Sequence, residues 1–456
     1  MGLLSLAYKR PDHVHPQGLR ASSESPDDAS SQGTLQPGRR AQPAGIPDSL
    51  AFDNIINGDT CPPMTVHDLM DYLVHVEHSA ENLQFHLWHR DYVERFDQAP
   101  RADTCLSPEW TQAMEEEAML KLRKEQAENR RRPHPPSAPM FKGTMFENSM
   151  PEMPEVPEPA FDPFSTPPSS CDGKSESGSL SVWGASHSTL SDTSSKYKSR
   201  AANAYRSAGA RVPFTIQPFR DEINRVMATF IVDGAPRQLN LSSLEQKAAV
   251  QALSYTTHPS ALRGLCKTVD HDLRRQSHPN FVRWSIRNGN PARVWFARVL
   301  GAFLVVAGFA IAILTTLSRL ARSYRALAAV AWVLGVSTFV AGYNGVCVVL
   351  HGRHRRHLRP WEIFGPADDE EDQEGRGEKR SLDCFGLDNG HEDKPWVAKY
   401  ERRHLVRKIF DREVWIQEPA LRQIQDTIFV QAILASVAVG GALTALFVVV
   451  PGGNLF

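Results

Sequence analysis

The sequence predicts an all-α chain in which a helical bundle, split by a long disordered insertion, is followed by three transmembrane helices. Three observations lead there. Residues 299–317, VLGAFLVVAGFAIAILTTL, hold no charge, and uncharged apolar runs recur at 326–350 and 427–450. Outside these runs, apolar residues repeat at helical spacing behind capping signatures. No alternating apolar–polar run is long enough to make a strand of any length.

The membrane reading rests on length. At about 1.5 Å per helical residue, 299–317 spans most of a hydrocarbon core of roughly 30 Å. In lipid a single segment satisfies its own backbone only as a helix. The apolar part of the opening residues MGLLSLAYKRPDHVHPQG is too short for a secretory signal, and Leu6 stands where a myristoylation pattern needs Ser or Thr. The chain has 456 residues, with 51 Lys+Arg against 52 Asp+Glu and a net charge of −1, which argues against nucleic-acid binding through bulk charge. Six scattered cysteines form no C-x-x-C pair, so the sequence suggests neither a zinc site nor a disulfide scaffold and fits a reducing cytosol.

Taken in order, residues 1–49 are rich in Ser, Pro, Gln and Gly and read as disordered. In 50–97, Thr65 with Asp68 marks a helix start, and Leu69, Leu73 and Val76 share a face. Ser79 is the expected N-cap of a second helix with Phe85, Trp88 and Tyr92 on one side. Residues 98–213 read as a charged helix at 110–132, solvated on most sides, and then a Pro- and Ser-rich insertion. Helical pattern returns over 214–294. Ile223, Met227, Phe230 and Ile231 form a stripe there, and Ser242 with Glu245 forms a capping box. A helix is expected from His258-Pro259 with Leu262, Leu265, Cys266, Val269 and Leu273 on its face. Another is expected from Ser277 with Phe281, Trp284 and Ile286. Residues 295–350 hold two spans, 351–426 a loop with an amphipathic helix, and 427–456 the third span and a short tail.

The first block, with PPMTVHDLMDYL and HSAENLQFHLW, and the second, with FIVDGAPRQLNLSSLEQ and LRRQSHPNFVRWSI, resemble the regulator of G-protein signalling (RGS) family. The segment Ser-x-Glu-Asn-Leu-x-Phe at 79–85 is the most specific piece. A soluble domain followed by C-terminal spans resembles the fungal membrane-tethered RGS-like proteins of the bud-site-selection type. The resemblance implies an RGS bundle made from 50–97 and 214–294. It also implies a partner in a heterotrimeric G-protein α subunit, whose GTPase such domains accelerate by holding its switch regions in shape. Glu81 and Asn82 match the Glu-Asn pair of that contact surface and are the candidate partner-binding residues. The family's later contact residues are not matched, since Gln251 or Ala252, Gln276 and Asn280 fall near their places. The sequence therefore favours a scaffold that binds a G-protein α subunit or polarity proteins over a GTPase activator.

Basic residues fix the expected orientation. Arg283, Arg287, Arg293 and Arg298 precede the first span, Arg353, Arg355, Arg356 and Arg359 follow the second, and Lys408, Arg412 and Arg422 precede the third. Only Arg319, Arg322 and Arg325 oppose them. The soluble region is expected in the cytosol, at the plasma membrane, with an extracytoplasmic C-terminus. The segment HGRHRRHLRPW reads as a basic juxtamembrane cluster for membrane lipids, 368–374 as an acidic tether, and 396–421 as a basic amphipathic helix at the interface. Small-residue stripes at Ala432, Ser436, Gly440 and Thr444, and at Ser337, Ala341 and Gly345, suggest close helix packing or oligomers. No triad, phosphate loop, catalytic carboxylate pair or metal cluster stands out, so neither an enzyme nor a cofactor is expected.

Overall fold

The computed structural model describes residues 5, 8–15, 45–131, 189–213, 216–364, 384–385, 389 and 395–453. Most of the expected disordered N-terminus, the insertion over 132–188, the acidic tether at 368–374 and the end of the tail lie outside the described residues. The longer helices are α1 Val66–Tyr72, α2 Ala80–Gln98, α3 Gln112–Arg131, α4 Thr189–Ser207, α5 Arg220–Val226, α6 Ser243–Tyr255, α7 Arg263–Asp272, α8 His278–Ser285, α9 Pro291–Leu317, α10 Leu327–Tyr343, α11 Pro395–Glu401 and α12 Pro419–Val449. The chain divides into two compact units. The first is Met1–Pro100, Asp233–Leu239 and Leu262–Phe456, and the second is Arg101–Val232 and Asn240–Ala261.

In the first unit, Thr65 caps α1 as its sequence predicts. Its hydroxyl accepts the Asp68 amide at 3.2 Å, and the Asp68 carboxylate accepts the Thr65 amide at 3.1 Å. The helix continues as a π-turn, Leu73–Glu77. That wider turn shifts the buried face onto Met70, Leu73 and Val74 and leaves Val76 39% exposed, off the expected stripe. Phe85, Trp88 and Tyr92 of α2 are buried as expected, with the Trp88 and Tyr92 rings stacked at 5.1 Å. The helix expected from His258-Pro259 begins instead at Arg263, after a 3₁₀ turn. Leu265, Val269, Leu273, Phe281 and Ile286 are buried, and Tyr72 meets Phe281 and Trp284 at 5.5 and 5.1 Å.

The second unit departs from the expected organisation. The helix α3 is solvated on most sides, as its sequence predicts, but Leu122 and the preceding Trp110 are buried. The helix α4 lies in sequence read as low-complexity insertion, and its Ala201, Ala204 and Tyr205 are buried. The helix α4 packs against α5, the π-turn Met227–Ile231 and α6, and α3 packs against α6. The second sequence block is therefore shared between units: 262–290 packs with 50–97, while 216–232 and 240–261 belong with α3 and α4. The capping box of α6 forms, with Glu245 accepting the Ser242 amide at 2.8 Å.

The helices α9, α10 and α12, the second with the 3₁₀ turn before it, are each long and apolar enough to cross a membrane. Backbones meet where glycine removes the side chain. A Cβ on Gly301 would lie 2.7 Å from the Phe339 amide nitrogen, and one on Gly335 would lie 2.8 Å from that of Val305. Ala432, Ser436 and Gly440, like Ser337, Ala341 and Gly345, are buried within the chain, so these stripes pack its own helices. The second apolar run does not continue to 350 as one helix. It stops at Tyr343, and Gly345 turns the chain at φ +79°.

The 351–426 region corrects two expectations. The amphipathic helix at 396–421 is broken into α11, a short turn at Leu405–Ile409 and a strand, β2, at Glu413–Trp415. That strand pairs antiparallel with β1, Arg355–His357, which is the only sheet among the described residues. The basic cluster is largely folded in rather than displayed. Arg356, His357 and Arg359 are buried, and Arg356 is bound bidentately by Glu362 at 2.8 Å in both contacts. Part of the N-terminal segment is also docked. Arg283 donates to the Pro11 carbonyl at 2.6 Å, and Gln431 donates to that of Tyr8 at 2.9 Å.

Candidate functional site

Glu81 and Asn82 stand on the first turn of α2, where the chain has just left the π-turn through His78 in the left-handed region at φ 56°. The entry is held by backbone bonds from Ser79 to Leu73 at 3.0 Å and by the His78 ring on the Val74 carbonyl at 3.0 Å. Ser79 occupies the N-cap position, but its hydroxyl makes no capping bond and is buried without a partner among the described residues. The first turn thus keeps amide donors that no cap has taken.

Both candidate side chains are half-buried, and the Glu81 carboxylate accepts a hydrogen bond from its own backbone amide. Burial, rather than charge, dominates at Glu81. It pushes the carboxyl up to about 7, with the negative charge of Glu77 adding to the effect and a backbone hydrogen bond opposing it. Glu77 itself accepts Ser277 at 2.7 Å and Gln276 at 3.2 Å. Gln276 is therefore brought to the candidate turn through Glu77. Asn280 is buried and holds the N-terminal segment through both the Val14 amide, at 2.9 Å, and the Val14 carbonyl, at 3.0 Å. Gln251 and Ala252 belong to the second unit.

Two neighbours were not legible in the local pattern. Gln84, one turn from Glu81, exchanges two amide hydrogen bonds with Asn389 at 3.0 and 3.1 Å, and Cys384 donates to its carbonyl at 3.2 Å. The other is an aromatic stack. Trp361 lies 4.6 Å from the His75 ring and 6.1 Å from Trp284, and the Arg359 guanidinium sits 3.8 Å above Trp284. Arg359 also pairs with Asp68 at 3.6 Å, which ties the loop after the second span to α1.

Comparison with protein-family models, with curated proteins and with solved structures returned no match. The site is therefore read from its own chemistry. Two histidines of the segment HGRHRRHLRPW turn to different partners: the His357 ring accepts from Arg293 at 3.0 Å, and His351 faces Asp426 at 3.5 Å. A half-buried carboxyl ionising near neutrality, an amide side chain beside it and uncapped helix amides can meet a polar protein surface that brings its own donors and acceptors.

Proposed function

We propose that this chain is a membrane-anchored RGS-like docking protein that binds a protein partner at the cytosolic face, in signalling or cell polarity of the bud-site-selection type. The observation that carries the reading is the Glu81–Asn82 turn. It is held by packed helices in the same compact unit as the three apolar helices, so a partner bound there is bound at the membrane. Tethering raises the effective concentration of a partner confined to the same leaflet. The opposing hairpin charge is weakened, because Arg325 is 1% exposed and donates to the carbonyls of Phe447 at 2.8 Å and Val450 at 2.5 Å. That supports the cytosolic placement of the soluble region.

A second reading, GTPase activation of a heterotrimeric G-protein α subunit, is favoured by the Glu81 and Asn82 match alone. Single-turnover GTP hydrolysis by such a subunit, with the full chain in nanodiscs, separates the two. Docking without activation predicts an unchanged hydrolysis rate, together with proximity labelling of a signalling or polarity protein that is lost in Glu81→Lys. A rate increase abolished by Asn82→Ala establishes the activator instead. A labelling profile untouched by Glu81→Lys removes the site from both readings.

A further inference from the structure

Where the soluble part of the first unit meets the start of α9, a cavity of about 640 Å³ opens. Among the described residues no acidic side chain lines it, whereas Arg287, Arg298, Arg356 and Arg359 all do. Two of these are already balanced, Arg356 by Glu362 and Arg359 by Asp68. Arg287 has no ion pair among the described residues. Burial first, and then the like charges of Arg283 and Arg298, hold its guanidinium below the usual range.

Four buried donors on lining residues also lack acceptors among the described residues: Nε of Arg356, Nη1 of Arg359, the indole Nε1 of Trp361 and Nδ1 of His357, whose Nε2 accepts from Arg293. The Arg359–Asp68 approach at 3.6 Å is an ion pair too long to be a hydrogen bond. Buried donors left unpaired are costly and uncommon. Among the described lining residues the unpartnered buried groups are N–H donors and the unpaired charges are positive, which suits a ligand rich in acceptors and negatively charged.

The position of the cavity selects among anions. Pro291, Val294 and Trp295 of the first membrane helix form part of the wall, and Trp295 is 58% exposed. Exposed Val299 and Leu300 follow on the same helix. An indole at the start of a span is the usual mark of the headgroup level, and an apolar helix surface leads away from it. We infer that this cavity binds the phosphate headgroup of an acidic phospholipid, with Arg287 and the Trp361 indole as donors and the acyl chains running along α9. The inference needs the membrane helices but not the RGS-like reading.

The test uses the full chain purified in detergent. It is titrated with a short-chain acidic phospholipid, with short-chain phosphatidylcholine and with inorganic phosphate, and binding is read from the shift in thermal unfolding and from native mass spectrometry. The acidic phospholipid is expected to bind one per chain and raise the unfolding temperature. Its affinity should fall on the order of tenfold in Arg287→Gln. Trp361→Phe keeps the ring stack and removes only the donor, so it decides the matter if Arg287→Gln does not fold. Equal binding of phosphatidylcholine overturns the anion requirement, and equal binding of inorganic phosphate overturns the lipid. Undiminished affinity in both variants overturns the site.

Discussion

Glu81 is a carboxyl that the fold holds in its protonated form more readily than water does. Its pKa is raised to about 7 by burial, so between its unfolded value and about 7 the folded state binds the extra proton. The stability this brings is complete below the unfolded pKa and is lost as pH rises through about 7. Glu81→Gln, which cannot ionise, should match the wild type near pH 4 and exceed it at pH 8. The excess should be about 1–2 kcal/mol, less than the full shift implies because the side chain keeps some solvent contact. Thermal unfolding of both proteins at the two pH values checks this, and a variant no more stable at pH 8 would show that Glu81 ionises freely. A partner that brings donors to this turn would favour the ionised form, which makes docking stronger at higher pH.

At the scale of elements, the contact between α9 and α10 depends on glycine. Gly301→Val places a branched side chain where even a Cβ lies 2.7 Å from the Phe339 amide nitrogen and 2.9 Å from the Gly335 carbonyl. The two helices must separate, and a loss of about 1–3 kcal/mol follows. Gly441→Ala on α12 meets nothing within 4 Å and should be neutral. Thermal unfolding in nanodiscs compares them, and equal effects would refute the close crossing. The spans, the Thr65 cap, the Ser242–Glu245 capping box and the stripes of α2, α5 and α8 were legible because each is written in residues within a few turns of one another. What stayed hidden depends on distant partners. Arg356 and Arg359 look solvated in HGRHRRHLRPW until Glu362 and Asp68 are placed beside them. The run 396–421 has helical periodicity, yet β1 offers Glu413–Trp415 a backbone partner, and the helix gives way. The helix α4 lies in Ser-rich sequence with weak propensity, and packing of Ala201, Ala204 and Tyr205 overrides it. The site followed the same rule. Glu81 and Asn82 were visible in the motif, whereas the Asn389 and Cys384 contacts to Gln84 come from a loop beyond two spans.

Across the whole molecule, the charge argument for orientation gains from the structure because it distinguishes arginines that face solvent from arginines that are already neutralised. In the hairpin between α9 and α10, Arg325 is enclosed by carbonyls at the end of α12, a helix terminus that carries partial negative charge. Buried basic residues stand on the other side too, but Arg353 and Arg355 remain exposed there next to the second span. The exposed balance therefore supports the proposed orientation, with the hairpin outside and the soluble helices inside. Leu320 in the hairpin is half-exposed, and Cys105 in the second unit is exposed. In a chain carrying Leu320→Cys, a membrane-impermeant maleimide added to intact cells should label position 320 and leave Cys105 unreacted until the cells are opened. Labelling of Cys105 in intact cells would invert the topology and remove the partner class proposed for the Glu81–Asn82 turn. It would leave the anion chemistry of the arginine–tryptophan cavity intact but move it to the outer leaflet, where acidic phospholipid is scarce. The two outcomes thus separate what the turn recognises from what holds the chain in place.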